Sequence, residues 1–240
     1  ERNDDAFLFF QRVEYGIPDR WELDFVLPAA GRRTRLNGST VSSDYALADG
    51  LAGLRYRLLN EETSRATVAM GPQLIFPSGS TRHGTGNGSA GVAWDLAVSK
   101  DWGGPVFLYN TLNYHVVPSA DDTTPGSSAR QVLHGVQWAT ALGIRALERP
   151  SKGGSKHDLH AFLEAGGNWQ QGVEPGITSG TRTEELTWVL APGIRYGFIT
   201  ARKALVEIGV SIPVGLGPNG PKRGFILQFQ FERMFAGKTP

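Results

Sequence analysis

The last stretch of the chain, Arg223-Gly-Phe-Ile-Leu-Gln-Phe-Gln-Phe-Glu-Arg-Met-Phe235, alternates with a period of two. Phe225, Leu227, Phe229 and Phe231 share one face, and Phe235 keeps their parity. Ile226, Gln228, Gln230 and Glu232 share the other. Alternation of this length predicts a β-strand and excludes a helix. A strand so aromatic on one side and so polar on the other suits two partitions. It can close a soluble sandwich, or it can face lipid outside and water inside, as strands of membrane barrels do. A terminal strand ending in Phe also resembles the C-terminal signal that the barrel assembly machinery of bacterial outer membranes reads.

The same alternation recurs along the chain. It predicts strands at 6–17, 20–28, 50–59, 66–77, 89–100, 105–117, 132–146, 158–169, 185–198 and 204–214. With the terminal strand these make 11 in one domain spanning residues 1–240, with 235–240 as a short tail. No window has a sustained helical period. The 31 Gly and 14 Pro suit many turns and argue against a bundle. No run of about 18 apolar residues occurs, so no transmembrane helix is expected, a criterion that does not bear on barrel strands.

Connection lengths favour the membrane partition. Turns 17–20, 60–64, 101–104 and 200–203 are short, whereas 29–48, 78–88, 118–131 and 173–184 are long and rich in Gly, Ser, Thr and Asn. This rhythm matches short periplasmic turns and longer extracellular loops, with 147–157 as an exception. Tyr15, Trp21, Tyr56, Trp102, Tyr196 and Phe198 gather beside the short turns like an interfacial girdle. The fold class expected is therefore all-β: an antiparallel transmembrane β-barrel in the outer membrane of a Gram-negative bacterium. Such barrels have even strand numbers, so about 12 strands are expected, the twelfth lying upstream or hidden in 33–48. No signal peptide precedes Glu1, so an exported protein would here be in a mature or trimmed form.

On this assignment the lumen face carries Arg12, Glu14, Glu22, Asp24, Arg55, Arg57, Asp95, Arg145, Glu164, Arg195 and Glu207. Charges of both signs would be costly in a dry core but tolerable in a wet lumen, where they form a pairing network. Arg55, Arg57, Arg145 and Arg195 are expected to contact lumen carboxylates, with Asp24 and Asp95 facing the first two across the bore. The near balance of signs predicts no strong ion selectivity. It is equally compatible with a lumen plugged by ion pairs.

Other chemistry is weakly represented. There is no Cys, hence no disulfide or thiol nucleophile. Lys plus Arg (24) barely exceeds Asp plus Glu (23), so no nucleic-acid partner is expected. The Gly-rich run Ser78–Ser89 precedes a strand rather than a helix, which disfavours a phosphate cradle. His157 and His160 are three apart in a strand and should point to opposite faces, so no metal is expected. His115, His134 and His160 lack a Gly-x-Ser-x-Gly elbow or a telling Ser spacing, so no enzymatic activity and no cofactor are expected.

Val13-Glu-Tyr-Gly-Ile-Pro-Asp-Arg-Trp-Glu-Leu23 resembles the EYG-(I/V)-T-D-R-(W/L)-E-L hairpin of a proteobacterial outer-membrane family named for the meta pathway of phenol degradation. Asp49-Gly-Leu-Ala-Gly-Leu-Arg-Tyr-Arg-Leu58 and Pro72-Gln-Leu-Ile-Phe-Pro-Ser-Gly-Ser80 resemble that family's GDL-x-LG-x-KYRL and P-x-L-x-LPTG segments. Trp94–Lys100 and Leu190–Tyr196 continue the likeness in order. Pro18, Ala48, Gly50 and Ala52 depart from the family pattern. The resemblance implies an outer-membrane barrel in contact with lipid, lipopolysaccharide and the assembly machinery. Many members are labelled transporters, which implies a passive channel for small, aromatic or apolar compounds. The alternatives are a plugged accessory barrel held by other envelope proteins and, third, a lipid-modifying barrel enzyme.

Overall fold

A computed structural model of the chain describes residues 2–17, 20–37, 39–61, 64–83, 85–121, 130–150, 154–173, 183–200, 204–217 and 223–233. The strands are β1 (Arg2–Ile17), β2 (Trp21–Leu36), β3 (Ser39–Leu47), β4 (Gly50–Leu59), β5 (Thr67–Phe76), β6 (Gly91–Asp101) and β7 (Val106–Asp121). They continue with β8 (Arg130–Pro150), β9 (Lys156–Val173), β10 (Thr183–Ile199), β11 (Ala204–Ser211), β12 (Val214–Gly215) and β13 (Ile226–Arg233). All belong to one antiparallel sheet, ordered β1-β2-β4-β5-β6-β7-β8-β9-β10-β11-β13 and curled into a half-barrel. The fold is all-β and barrel-like, as the alternation predicts.

Two of the strand positions are interrupted. β3 pairs with the upper part of β2 and β4 with its lower part, so β3 and β4 are one strand broken at Ala48-Asp49. Likewise β11 and β12 both pair with β10 and are separated by Ile212-Pro213, where proline cannot donate to the ladder. The sheet therefore has eleven positions.

This corrects the reading of 29–48 as a loop, and of 33–48 as a separate twelfth strand. The segment is strand, but it prolongs the β2 and β4 positions as a long hairpin. Its polar residues lie on both faces, so the amphipathic signal fades although the ladder continues. A local signal was available: Asn37-Gly38 is a favoured hairpin pair, and Asn37 adopts a φ of 48°. The exception at 147–157 also narrows. β8 runs to Pro150 and β9 starts at Lys156, leaving a connection as short as the rhythm requires.

The apolar core is small and lies on the concave face toward the long-loop end. Ile75, Ala93, Val117, Ala120 and Leu133 pack there with Leu51. A register shift between Val117 and Ala120 brings Ala120 onto the same inward face as Val117, and neither is exposed.

Candidate functional site: the ionic concave wall

In an antiparallel ladder, paired residues share a face, so the register assigns every side chain to one side of the sheet. Glu14 pairs with Asp24, Glu22 with Arg55, and Asp24 with Gly53. Gly53 pairs with Gln73, Gly71 with Asp95, and Asp95 with Asn113. The chain of pairs continues through Gln137, Asn168, Thr187 and onward to Glu207 and Gln230. Arg12, Glu14, Glu22, Asp24, Arg55, Arg57, Asp95, Arg145, Glu164, Arg195 and Glu207 all fall on this one face. It is the concave face, because its carboxylates are covered: Asp24 and Asp95 are each 5% exposed.

The convex face is the reverse. Phe225, Leu227, Phe229 and Phe231 stand outward, with Phe225 at 70% and Phe229 at 69% exposure. Phe235 lies outside the described residues. Trp21 rests against Tyr56 at 4.7 Å near the short turns, and Trp138 against Trp188 at 5.2 Å. Tyr114, His134 and Trp169 cluster on the same side toward the long loops.

The concave charges form a continuous network over β1 to β6. Arg12 donates to both oxygens of Asp24 at 2.9 Å and lies 2.9 Å from Glu14. Arg55 donates from Nε to Asp95 at 2.6 Å and from Nη1 to Glu22 at 2.9 Å. Its guanidinium also lies 3.7 Å from Asp24 and 3.8 Å from Glu14. Fork-shaped Arg donors suit such a set better than a point charge. Beside the network, Asn113 donates to Gln73 at 2.9 Å.

Arg55 reaches Asp95 two strands away because the intervening position on β5 is Gly71. A Cβ there would sit 1.8 Å from the Leu54 carbonyl oxygen and 2.9 Å from the Arg55 Cα. Both are backbone atoms and cannot swing aside. Gly71→Ala is therefore expected to cost about 1–3 kcal/mol through overpacking. Gly16→Ala, where nothing lies within 4 Å, should have no comparable effect. Urea unfolding of the two variants in lipid vesicles compares them directly.

A second group occupies β9 to β13. Arg195 donates to Gln228 at 3.0 Å across Gly209, and its guanidinium lies over the Phe162 ring at 5.3 Å. Its Nε is 3.0 Å from Glu207, an ion contact without hydrogen-bond alignment. The same holds for His160 and Asp158 at 2.9 Å. Glu164 stands on this face between Ala141 and Ala191.

At the short-turn rim, Arg145 donates to Asp101 at 2.5 Å and lies over Phe107 at 5.5 Å. In the β4–β5 turn, Glu61 accepts from Lys100 at 2.5 Å and from the Asp101 amide at 2.9 Å. The Lys100 hydrogen bond holds the Glu61 carboxyl below its usual range. A lowered folded-state value means this contact stabilises above the ordinary carboxylate pKa and is lost as pH falls through the lowered one. Asp101 amide protection against hydrogen exchange, corrected for the intrinsic rate, should thus hold at pH 7 and drop in strong acid. Glu61→Gln should blunt that change.

The expected pairing holds for Arg55, Arg145 and Arg195, but not in the expected geometry. Acids do not face the arginines across the bore; partners sit one or two strands away on the same face, so the network lies along the wall. Arg57 is exposed and has no carboxylate at ion-pair distance among the described residues. Sequence reasoning missed Gly71, Asp101, Asp158, Gln73, Asn113 and Gln228. A usable signal was glycine or amide at the ionic parity of adjacent strands.

The histidines are divided between faces. His157 is convex, with Nδ1 2.5 Å from the Tyr196 hydroxyl, while His160 is concave, as their spacing predicts. His115 pairs with Gly135 on the concave side and His134 with Val116 on the convex side. His115 and His160 share the concave face but lie ten positions apart along β8, opposite Gly135 and Arg145. Among the described residues no group of three or more His, Asp or Glu is placed to hold a metal.

Asp49, at the break between β3 and β4, organises the loop after β5. It accepts from the Gly79 amide at 3.0 Å, the Asn87 amide at 2.7 Å and the Asn87 side chain at 3.0 Å. Ser78 bridges the same break, accepting from the Gly50 amide and donating to the Ala48 carbonyl. The interruption of the strand thus anchors one long loop to the rim.

No protein-family model matches this chain, and no curated protein matches it either.

Proposed function

We propose that the protein is an outer-membrane β-barrel that acts as a passive conduit for small compounds. One observation carries the membrane reading: charged side chains collect on the concave face and exposed aromatic and aliphatic ones on the convex face. A water-soluble sheet gains nothing from exposing Phe225, Leu227, Phe229 and Phe231 together, whereas lipid rewards it. The motif likeness to the phenol meta-pathway barrel family points the same way and favours transport of small, aromatic or apolar solutes. The terminal phenylalanine strand fits recognition by the assembly machinery.

The conduit is preferred to the plugged accessory barrel because the ion pairs lie along the wall. Concave Thr111, Gln137 and Ala139, midway along β7 and β8, remain exposed rather than filled over. Planar-bilayer recording on the purified protein should show stepwise ohmic currents. Solute-swelling assays on vesicles should show entry of small neutral compounds. Silence in both, from protein that migrates faster on gels before boiling than after, would favour the plugged barrel.

A further inference from the structure

The middle of the concave wall carries one carboxylate that no cation answers. Glu164 stands midway along the 18 residues of β9 and is half-buried. Its lateral partners are Ala141 on β8 and Ala191 on β10, and Phe162 and Gly166 flank it on the same face of β9. The diagonal positions are likewise glycine, alanine or valine. The two arginines nearest by register, Arg145 and Arg195, both stand opposite His160, about 13 Å along the strand. Arg145 is held by Asp101, and Arg195 by Gln228 with Glu207 3.0 Å from its Nε. Asp24, Asp95, Asp101 and Glu207 each have an arginine within 3.0 Å. Among the described residues Glu164 has neither an ion pair nor a hydrogen bond.

Register places an aromatic ring in the same row. Tyr109 pairs with Ala141, and Ala141 with Glu164. Tyr109 is 49% exposed, its ring packs against Phe107 at 5.3 Å, and its hydroxyl has no hydrogen-bond partner among the described residues. Two strand spacings set the Tyr109 and Glu164 backbones about 10 Å apart. Only the methyl group of Ala141 stands between them, and Ala139 and Gly166 keep the adjoining row low. The wall thus forms a slot with a small-residue floor, an open tyrosine on one side and an unneutralised carboxylate on the other. A half-covered charge without a partner costs stability, and inside a membrane such a group is kept for what it binds.

We infer that this slot binds small organic cations, an ammonium group on an apolar body, with Glu164 as the counter-charge and Tyr109 as the aromatic wall. The ammonium satisfies the carboxylate and is drawn to the ring face, while the apolar body lies on the alanines and glycine. A neutral solute would leave Glu164 uncompensated, and an anion would be repelled. A bare divalent metal is a poorer guest, since one carboxylate and one hydroxyl supply too few oxygens for its shell. The inference deepens the conduit reading and rests on it for a concave face that meets water.

Calorimetric titration of the purified protein in detergent micelles with benzylammonium and, separately, with benzyl alcohol tests this. The two probes share an apolar body and differ in charge. Benzylammonium should bind about tenfold or more tightly than benzyl alcohol, the worth of a hydrogen bond to a charged group. Glu164→Gln should remove that advantage and leave benzyl alcohol unaffected, whereas Glu164→Asp should keep most of it. Tyr109→Leu should weaken benzylammonium about threefold or more. Equal affinity for the two probes in the unsubstituted protein overturns the inference without requiring any variant to fold. So does a Glu164→Gln protein that keeps the parent's gel shift on boiling yet binds benzylammonium within about twofold of it. Binding is read without current, so the two readings fail separately. Silent bilayers with binding intact refute the conduit alone, and steady currents without binding refute the site alone.

Discussion

Arg55→Ala is expected to destabilise the protein by about 3–5 kcal/mol, the range seen when one partner of a buried ion pair is removed. The side chain of Arg55 is 13% exposed, against 3% for Asp24 and 6% for Asp95. Asp24 keeps Arg12 as a partner, but Asp95 loses the guanidinium that holds it and is left as a covered carboxylate. The loss comes mostly from that stranded charge rather than from the attraction removed. Asp95→Asn in the Arg55→Ala background should therefore recover part of the deficit. Arg55→Lys should fall between, since one ammonium cannot reproduce a fork that serves Glu22 and Asp95 together. Tryptophan-monitored urea unfolding in lipid vesicles measures all four proteins. If Arg55→Ala stays within about 0.5 kcal/mol of the parent, the change is no more than an ordinary surface substitution and the network is ornamental to the fold.

Leu112→Arg is expected to cost about 2–4 kcal/mol, the penalty for a cation on the lipid face near the middle of a barrel strand. Leu112 is exposed on the convex side of β7, midway along its 16 residues. Thr111, its neighbour in sequence, is exposed on the concave side, so Thr111→Arg should change stability little. The pair separates the two partitions of the sheet. If both faces met water, each arginine would be a surface substitution and both effects would stay within about 0.5 kcal/mol. Equilibrium unfolding of both variants in vesicles, with recovery from membranes in cells, gives the comparison. Equal tolerance at the two positions would remove the membrane reading, whatever the bilayer currents show.

Much of the fold was legible because alternation is a local property. Whether a residue points in or out of a strand depends on its own parity, and parity can be counted along the chain. That is why Arg12 on β1 and Glu207 on β11 could be assigned to one face without knowing which strands pair. Strand number followed likewise, since turn residues punctuate the alternation. The long hairpin at 29–48 escaped because both its faces are polar, so parity carries no contrast there. The Asn37-Gly38 pair spoke for it, and only at one point.

The site was legible as a set of residues but not as a set of contacts. That Arg55 and Asp95 share a face follows from counting. That they touch depends on β5 lying between them, on the register of three strands, and on Gly71 leaving the path open. Acids expected across the bore instead sit one or two strands along the same wall, within the reach of a long guanidinium side chain. The same division applies to the two ends of the sheet, β1 and β13. The amino-acid sequence by itself determined where the eleven strand positions lie and which face each side chain takes, because both are read within a strand. The tertiary structure alone decided which charges meet, and that the eleven positions leave β1 and β13 running in the same direction with open edges, because pairing joins residues far apart in the chain.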